Sequence, residues 1–155
     1  MRVYMVLMMI RAYEPTKTIP INKIIKLLSL STKESYSFNT DLGDVYSWRQ
    51  HEYTDAVQSD IKRLVYGVLP FKINVKKLNF QFMKIDGGVD WHIDRHTKTC
   101  IVLPLKLPKK ALFIVEESSR NLKVGVFYRF SDFREHCLDC DAKAKPILLI
   151  IEYDT

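Results

Sequence analysis

The sequence predicts an α+β domain in which one or two N-terminal helices pack on a two-sheet roll of short antiparallel strands. Two apolar stripes at helical spacing precede Pro70. Beyond it the pattern switches to period two and stays there, with Leu78, Phe80 and Phe82 alternating with Lys77, Asn79 and Gln81. Short turn signals then cut the rest of the chain into strand-length pieces: Gly87-Gly88, the run from Pro104 to Pro108, and Ser118-Ser119. At 155 residues the chain fits one core, and no repeat, low-complexity tract or linker divides it. We expect a single domain over 1–155, with 1–70 as the supporting part and 71–155 as the roll.

The elements follow in order. Val3 to Ile10 is an apolar run flanked by Arg2 and Arg11, too short to span a bilayer, and it reads as a buried strand. Ile21, Ile24, Ile25 and Leu28 form one helical face, and Pro20 sits just inside the start of that helix, where its missing N–H costs nothing. From Ser29 to Tyr53 the composition is polar and aromatic without sustained period, which predicts a long loop with short extended pieces near Tyr36–Phe38 and Val45–Trp48. Val57, Ile61, Leu64, Val65 and Val68 mark a second helix, capped by Thr54 or Asp55 and ended by Gly67 and Pro70. Strands are expected near 76–85, 90–95, 99–105, 111–116, 124–130 and 146–153, with 137–145 as a connection. Each helix carries one apolar stripe, so both should lie on the outside of one sheet.

The formal charge is +6, but the basic residues fall in short clusters, with no basic arm and no aromatic interleaving. A solvated basic surface is the expectation: a nucleic-acid partner is disfavoured though not excluded by the charge, and no membrane partner is expected. Cys100, Cys137 and Cys140 are an odd number without a preceding secretory signal, which fits a reducing, cytoplasmic setting. Cys137-X-X-Cys140 has the spacing of a zinc knuckle or redox pair, yet a second CxxC is missing and no βαβ unit follows.

The chemistry concentrates in Gly87-Gly88-Val89-Asp90-Trp91-His92-Ile93-Asp94-Arg95-His96 and the distant His136. Two residues apart on a strand, His92 and Asp94 face one side, and a neighbouring strand can bring His136 to a third corner. Two imidazoles and a carboxylate on one face of a metal leave its opposite positions open, as a non-haem Fe(II) site requires. His96 is left out because three ligands along one strand would spread about 13 Å. The plainer alternative is a hydrogen-bonded His92–Asp94 pair with His136 in a surface loop.

Phe82 to His96, Ile101-Val102-Leu103-Pro104-Leu105, Gly125-Val126-Phe127-Tyr128-Arg129-Phe130 and His136, in that order, resemble the aspartyl/asparaginyl β-hydroxylase branch of the 2-oxoglutarate/Fe(II) dioxygenases. The resemblance covers about residues 76 to 153. It implies a double-stranded β-helix (a jelly-roll, cupin-like fold), iron held by His92, Asp94 and His136, 2-oxoglutarate as cosubstrate, O2 as oxidant, and hydroxylation of a protein side chain (Asp, Asn or Pro type) or a small metabolite. The basic residue that grips the far carboxylate of 2-oxoglutarate maps to Lys145, or to Lys143 on the same strand face, or to Lys84 if the register differs. The family has Arg there, and a second Arg near Cys100 that this chain lacks. Phe80, Phe82, Leu103 and Phe130 are candidates to line the cavity, and Trp48 and Trp91 to stack on a substrate.

Two other classes stay open. A cupin-like module that keeps the fold without catalysis fits the missing arginines, and a zinc hydrolase would have Glu135 as its nearby base.

Overall fold

The computed structural model describes residues 9–30, 33–39, 46–70, 72, 78–85, 87–93, 99–131 and 134–153, with only the backbone described for 33–39, 46–52 and 78–83. Eleven strands and two helices occur among them: β1 Arg11–Tyr13, α1 Ile21–Leu28, β2 Lys33–Asn39, β3 Tyr46–Glu52, α2 Asp55–Tyr66, β4 Leu78–Ile85, β5 Val89–His92, β6 Thr99–Lys106, β7 Ala111–Val115, β8 Ser118–Asn121, β9 Phe127–Ser131, β10 His136–Cys140 and β11 Ile147–Tyr153. They form a seven-stranded sheet ordered β1-β9-β6-β11-β4-β3-β2 and a four-stranded sheet ordered β5-β10-β7-β8. Every pairing is antiparallel. From β4 onward the chain passes back and forth between the sheets, which makes the roll a double-stranded β-helix, as expected.

Strand alternation divides the apolar residues into two layers. Ile101, Leu103, Leu105, Phe127, Leu149 and Ile151 leave the large sheet on its outer side and meet Ile24, Leu28, Ile61 and Val65 of the helices. Cys100, Val102, Tyr128, Phe130, Leu148 and Ile150 point the other way, between the sheets, and meet Phe113, Val115 and Leu138 of the small sheet. The helices therefore cover one face of the large sheet, the arrangement their stripes demanded. Thr54 caps α2, accepting from the Val57 N–H at 3.4 Å. Pro20 is the residue before α1 rather than its first turn, and its carbonyl accepts from the Ile24 N–H.

The stretch read as a long loop is instead largely a hairpin: β2 and β3 pair along seven residues and add to the edge of the large sheet beside β4. Two strands were also missed. Ser118-Ser119 opens β8 instead of separating strands, and 136–140 is β10, at the heart of the small sheet. Residues 124–126 form the turn before β9 and not its start. The expected strand at Val3–Ile10 lies outside the described residues except for its end, where Ile10 is fully buried between the sheets. Among the described residues no helix is long and apolar enough to cross a membrane.

Candidate functional site

His92 ends β5 and His136 begins β10, and the register sets them directly opposite each other. Both are buried, at 7% and 5% exposure, with ring centroids 4.1 Å apart and planes inclined by 58°. Each ring is held in the same way, by the carbonyl of the residue two places before it. His92 Nδ1 lies 2.8 Å from the Asp90 carbonyl oxygen, and His136 Nδ1 lies 2.6 Å from the Arg134 carbonyl oxygen. A carbonyl only accepts, so both Nδ1 atoms donate, and in the neutral form of each ring Nε2 is the basic atom. That tautomer is the one a metal-binding imidazole needs, with a backbone carbonyl fixing the ring from behind.

The surroundings are apolar. The Phe130 ring is 4.8 Å from His136 and 4.8 Å from Phe113, with Phe113 6.2 Å from His136. Phe130 thus lines the histidine site as expected. Leu103 does not, because it belongs to the helix-facing layer. Phe80 and Phe82 are paired in register with Ile151 and Leu149 of that same layer, and their side chains, like that of Trp48, lie outside the described residues. Trp91 alternates with His92 and is half-buried.

Asp94 and His96 lie outside the described residues, and so does the third corner of the expected triad. Among the described residues no group of three His, Cys, Asp or Glu side chains is placed to hold a metal ion. The three lysines are not gathered with the histidines. Lys143 and Lys145 are exposed and precede β11 instead of lying on it. Lys84 is paired with Ile147 and alternates with the buried Ile85, which puts it on the helix side of the large sheet. Arg120 is the basic residue that sequence reasoning passed over: on β8 it is paired with the inward Phe113, and its charge acts on the Tyr128 hydroxyl.

Cys137 and Cys140 sit three apart on β10 and so face opposite sides of the strand, which excludes a shared metal or a disulfide between them. Burial first, then the charges of Asp139, Asp90 and Glu135, push the Cys137 thiol up to about 11. Cys140 is raised by the same kind of burial and donates to the Gly87 carbonyl at 3.1 Å.

A second tier of contacts holds His136 in place. Arg134 Nη1 reaches both oxygens of Glu116, at 3.2 and 3.1 Å, and the Glu116 N–H donates to the Glu135 carbonyl at 2.8 Å. Glu116 sits at φ 51°, in the tight turn between β7 and β8. The peptide whose oxygen orients His136 is thereby tied to the neighbouring hairpin. We expect Arg134→Met to weaken Fe(II) binding about tenfold, in the range of lost outer-shell partners. Stability should change by less than about 1 kcal/mol, because the pair is over a third exposed. Anaerobic titration beside a thermal melt checks both, and an unchanged affinity would detach Arg134 from the site.

No protein-family model and no curated protein matches the chain. Solved structures do. An oxidoreductase of the 2OG-Fe(II) oxygenase family from Burkholderia pseudomallei superposes with a TM-score of 0.57 over 86% of this chain and 78% of its own, at 11% identity. A cupin domain from Bordetella pertussis gives 0.40 over 54% and 88%, at 19% identity. A cupin-2 domain containing protein from Shewanella frigidimarina gives 0.40 over 53% and 76%, at 20% identity. The oxygenase match, at 11% identity, establishes fold alone. The protein is a cupin-like, jelly-roll α+β domain with two histidines paired inside the roll, similar in fold to an oxygenase. The closer likeness to the aspartyl/asparaginyl β-hydroxylase branch rests on motif order, and these matches do not extend to it.

Proposed function

We propose that the chain is an Fe(II)- and 2-oxoglutarate-dependent hydroxylase acting on an Asp, Asn or Pro-like protein side chain or on a small metabolite. The observation that carries this reading is the facing pair His92 and His136, each with Nδ1 bonded to a backbone carbonyl, which makes Nε2 the basic atom of the neutral ring. The donor set suits the ion: two neutral imidazoles from the described residues, with Asp94 proposed as the anionic third ligand. When bound, iron would couple oxidative decarboxylation of 2-oxoglutarate, to succinate and carbon dioxide, with hydroxylation of an unactivated C–H bond. The chain's own contribution is to hold both imidazoles in one tautomer and, through Phe113 and Phe130, to keep water from their inner side.

The far carboxylate of 2-oxoglutarate needs a cation. Motif order proposes Lys145, with Lys143 and Lys84 behind it; strand register favours Arg120, whose planar fork also suits a carboxylate better. Succinate release from 2-oxoglutarate, with and without candidate substrates, tests the function. We expect Arg120→Met to raise the KM for 2-oxoglutarate at least about tenfold, as loss of a charge-assisted bidentate pair would, and Lys145→Met to leave it unchanged. The reverse result would return the anchor to Lys145.

The non-catalytic cupin-like module is the second reading, favoured by the exposure of Lys143 and Lys145 and by a thiol, Cys100, near the place of the family's second arginine. Tight Fe(II) binding without any succinate release would select it.

A further inference from the structure

The roll has two unlike ends. His92, His136 and the β7–β8 turn lie at one of them. β10 runs from His136 to Cys140, so its far end is about 13 Å away. The connections at that far end are fastened to the strands and to one another: Gly87 N–H to Ala144 O at 2.7 Å, Gly125 N–H to Pro104 O at 3.0 Å, and Leu122 N–H to Ala111 O at 2.9 Å. Lys106, at the end of β6, shares its register position with Ile147.

Six exposed lysines crown this end: Lys106, Lys109, Lys110, Lys123, Lys143 and Lys145. The connections 107–110, 122–126 and 141–146 carry one acid, Asp141, whose carboxylate accepts the Lys143 N–H at 2.7 Å; beside them Asp139 is exposed on β10, and Glu14 acts on the Tyr128 hydroxyl to which the Lys123 N–H donates. At the tip of the β8–β9 turn, next to Lys123, Val124 is 45% exposed, one of three large apolar side chains so open to water among the described residues.

We propose that this lysine-crowned end docks on an anionic lipid surface, leaving the histidine end turned away from it. Compact ammonium charges on a rigid set of loops suit a plane of anionic headgroups, and a cluster of this size falls in the range that holds peripheral segments to such membranes. Val124 gives the patch the apolar tip that an interfacial contact buries. A nucleic acid fits less well: these loops carry no arginine and no aromatic residue for base edges or stacking. The charge also faces away from the histidines, where a nucleic-acid substrate would have to bind.

The test is co-sedimentation of the full chain with vesicles of phosphatidylcholine plus phosphatidylserine, against vesicles of phosphatidylcholine alone, at rising salt. Binding is expected only with phosphatidylserine, and it should weaken with salt. Each lysine near the surface is worth about fivefold, so Lys109→Gln with Lys110→Gln should lower the partition roughly 25-fold. Val124→Ser should lower it without changing the salt slope. All three positions are exposed, and circular dichroism confirms that the fold is kept. Absence of binding to the anionic vesicles, or binding indifferent to the lysine changes, would overturn the proposal. So would tighter binding to a DNA duplex that ignores Val124→Ser, which would assign the patch to nucleic acid.

Discussion

Replacing His136 by alanine should abolish high-affinity Fe(II) binding, with a loss above about 100-fold, because loss of an outer-shell partner alone costs 10 to 100-fold. The substitution removes one of two paired donors and opens the inner wall: His136 packs on Phe130 and Phe113, so water would enter where the site is now closed. Succinate formation should fall with the metal. Folding should survive, since the Nδ1 bond of His136 goes to the Arg134 carbonyl two residues before it, and the β10 ladder to β7 depends on backbone groups. Anaerobic titration and a far-ultraviolet circular dichroism spectrum separate the two effects. A His136→Ala protein that binds Fe(II) as tightly as the parent would remove the histidine pair from any metal site.

The sequence revealed elements wherever burial imposed a period. Ile61 and Val65 are buried on one side of α2, and Leu149 and Ile151 alternate with Leu148 and Ile150 between two apolar layers, so both patterns are strong. β8 was invisible for the opposite reason: Ser118-Ser119-Arg120-Asn121 is an edge strand with polar residues on both faces, and such a strand reads as a turn. β2 and β3 mix polar with aromatic residues, which suggested only short extended pieces; their full length comes from pairing with each other and with β4, which no local pattern encodes.

The histidine pair was legible because a strand repeats every second residue, and His136 needed only an adjacent strand to reach His92. The lysine anchor was a count along the chain, and it failed to predict the geometry of 143–146. There Pro146 is buried, its carbonyl accepts from the Ile85 N–H, and the register with β6 shifts between Ile147 and Leu148, so β11 begins only after both lysines. Arg120 was passed over because its strand was.

Gly88→Ala should destabilise the protein by about 1–3 kcal/mol, the usual range for forcing an atom into a filled site. A Cβ at this position would run into the Leu138 carbonyl oxygen, which belongs to the backbone and has no rotamer by which to retreat. Gly87, at φ 82°, brings the chain into this approach, with its N–H on Ala144 and its carbonyl on the Cys140 thiol. The strain therefore falls where β5 enters its pairing with β10, at the Val89–Leu138 partners that lead up to His92 and His136. With 2–4 °C per kcal/mol for a chain of this length, the melting temperature should drop by about 2–12 °C. Fe(II) affinity should fall as well, even though neither histidine is touched, because the distance between the two imidazoles is set by that ladder. Gly88→Ala is thus expected to move stability and metal binding together, whereas Arg134→Met moves metal binding alone. A melting temperature unchanged in Gly88→Ala would mean that β5 can shift away from Leu138 at little cost, and that the pairing of the two strands does not hold the histidines at their separation.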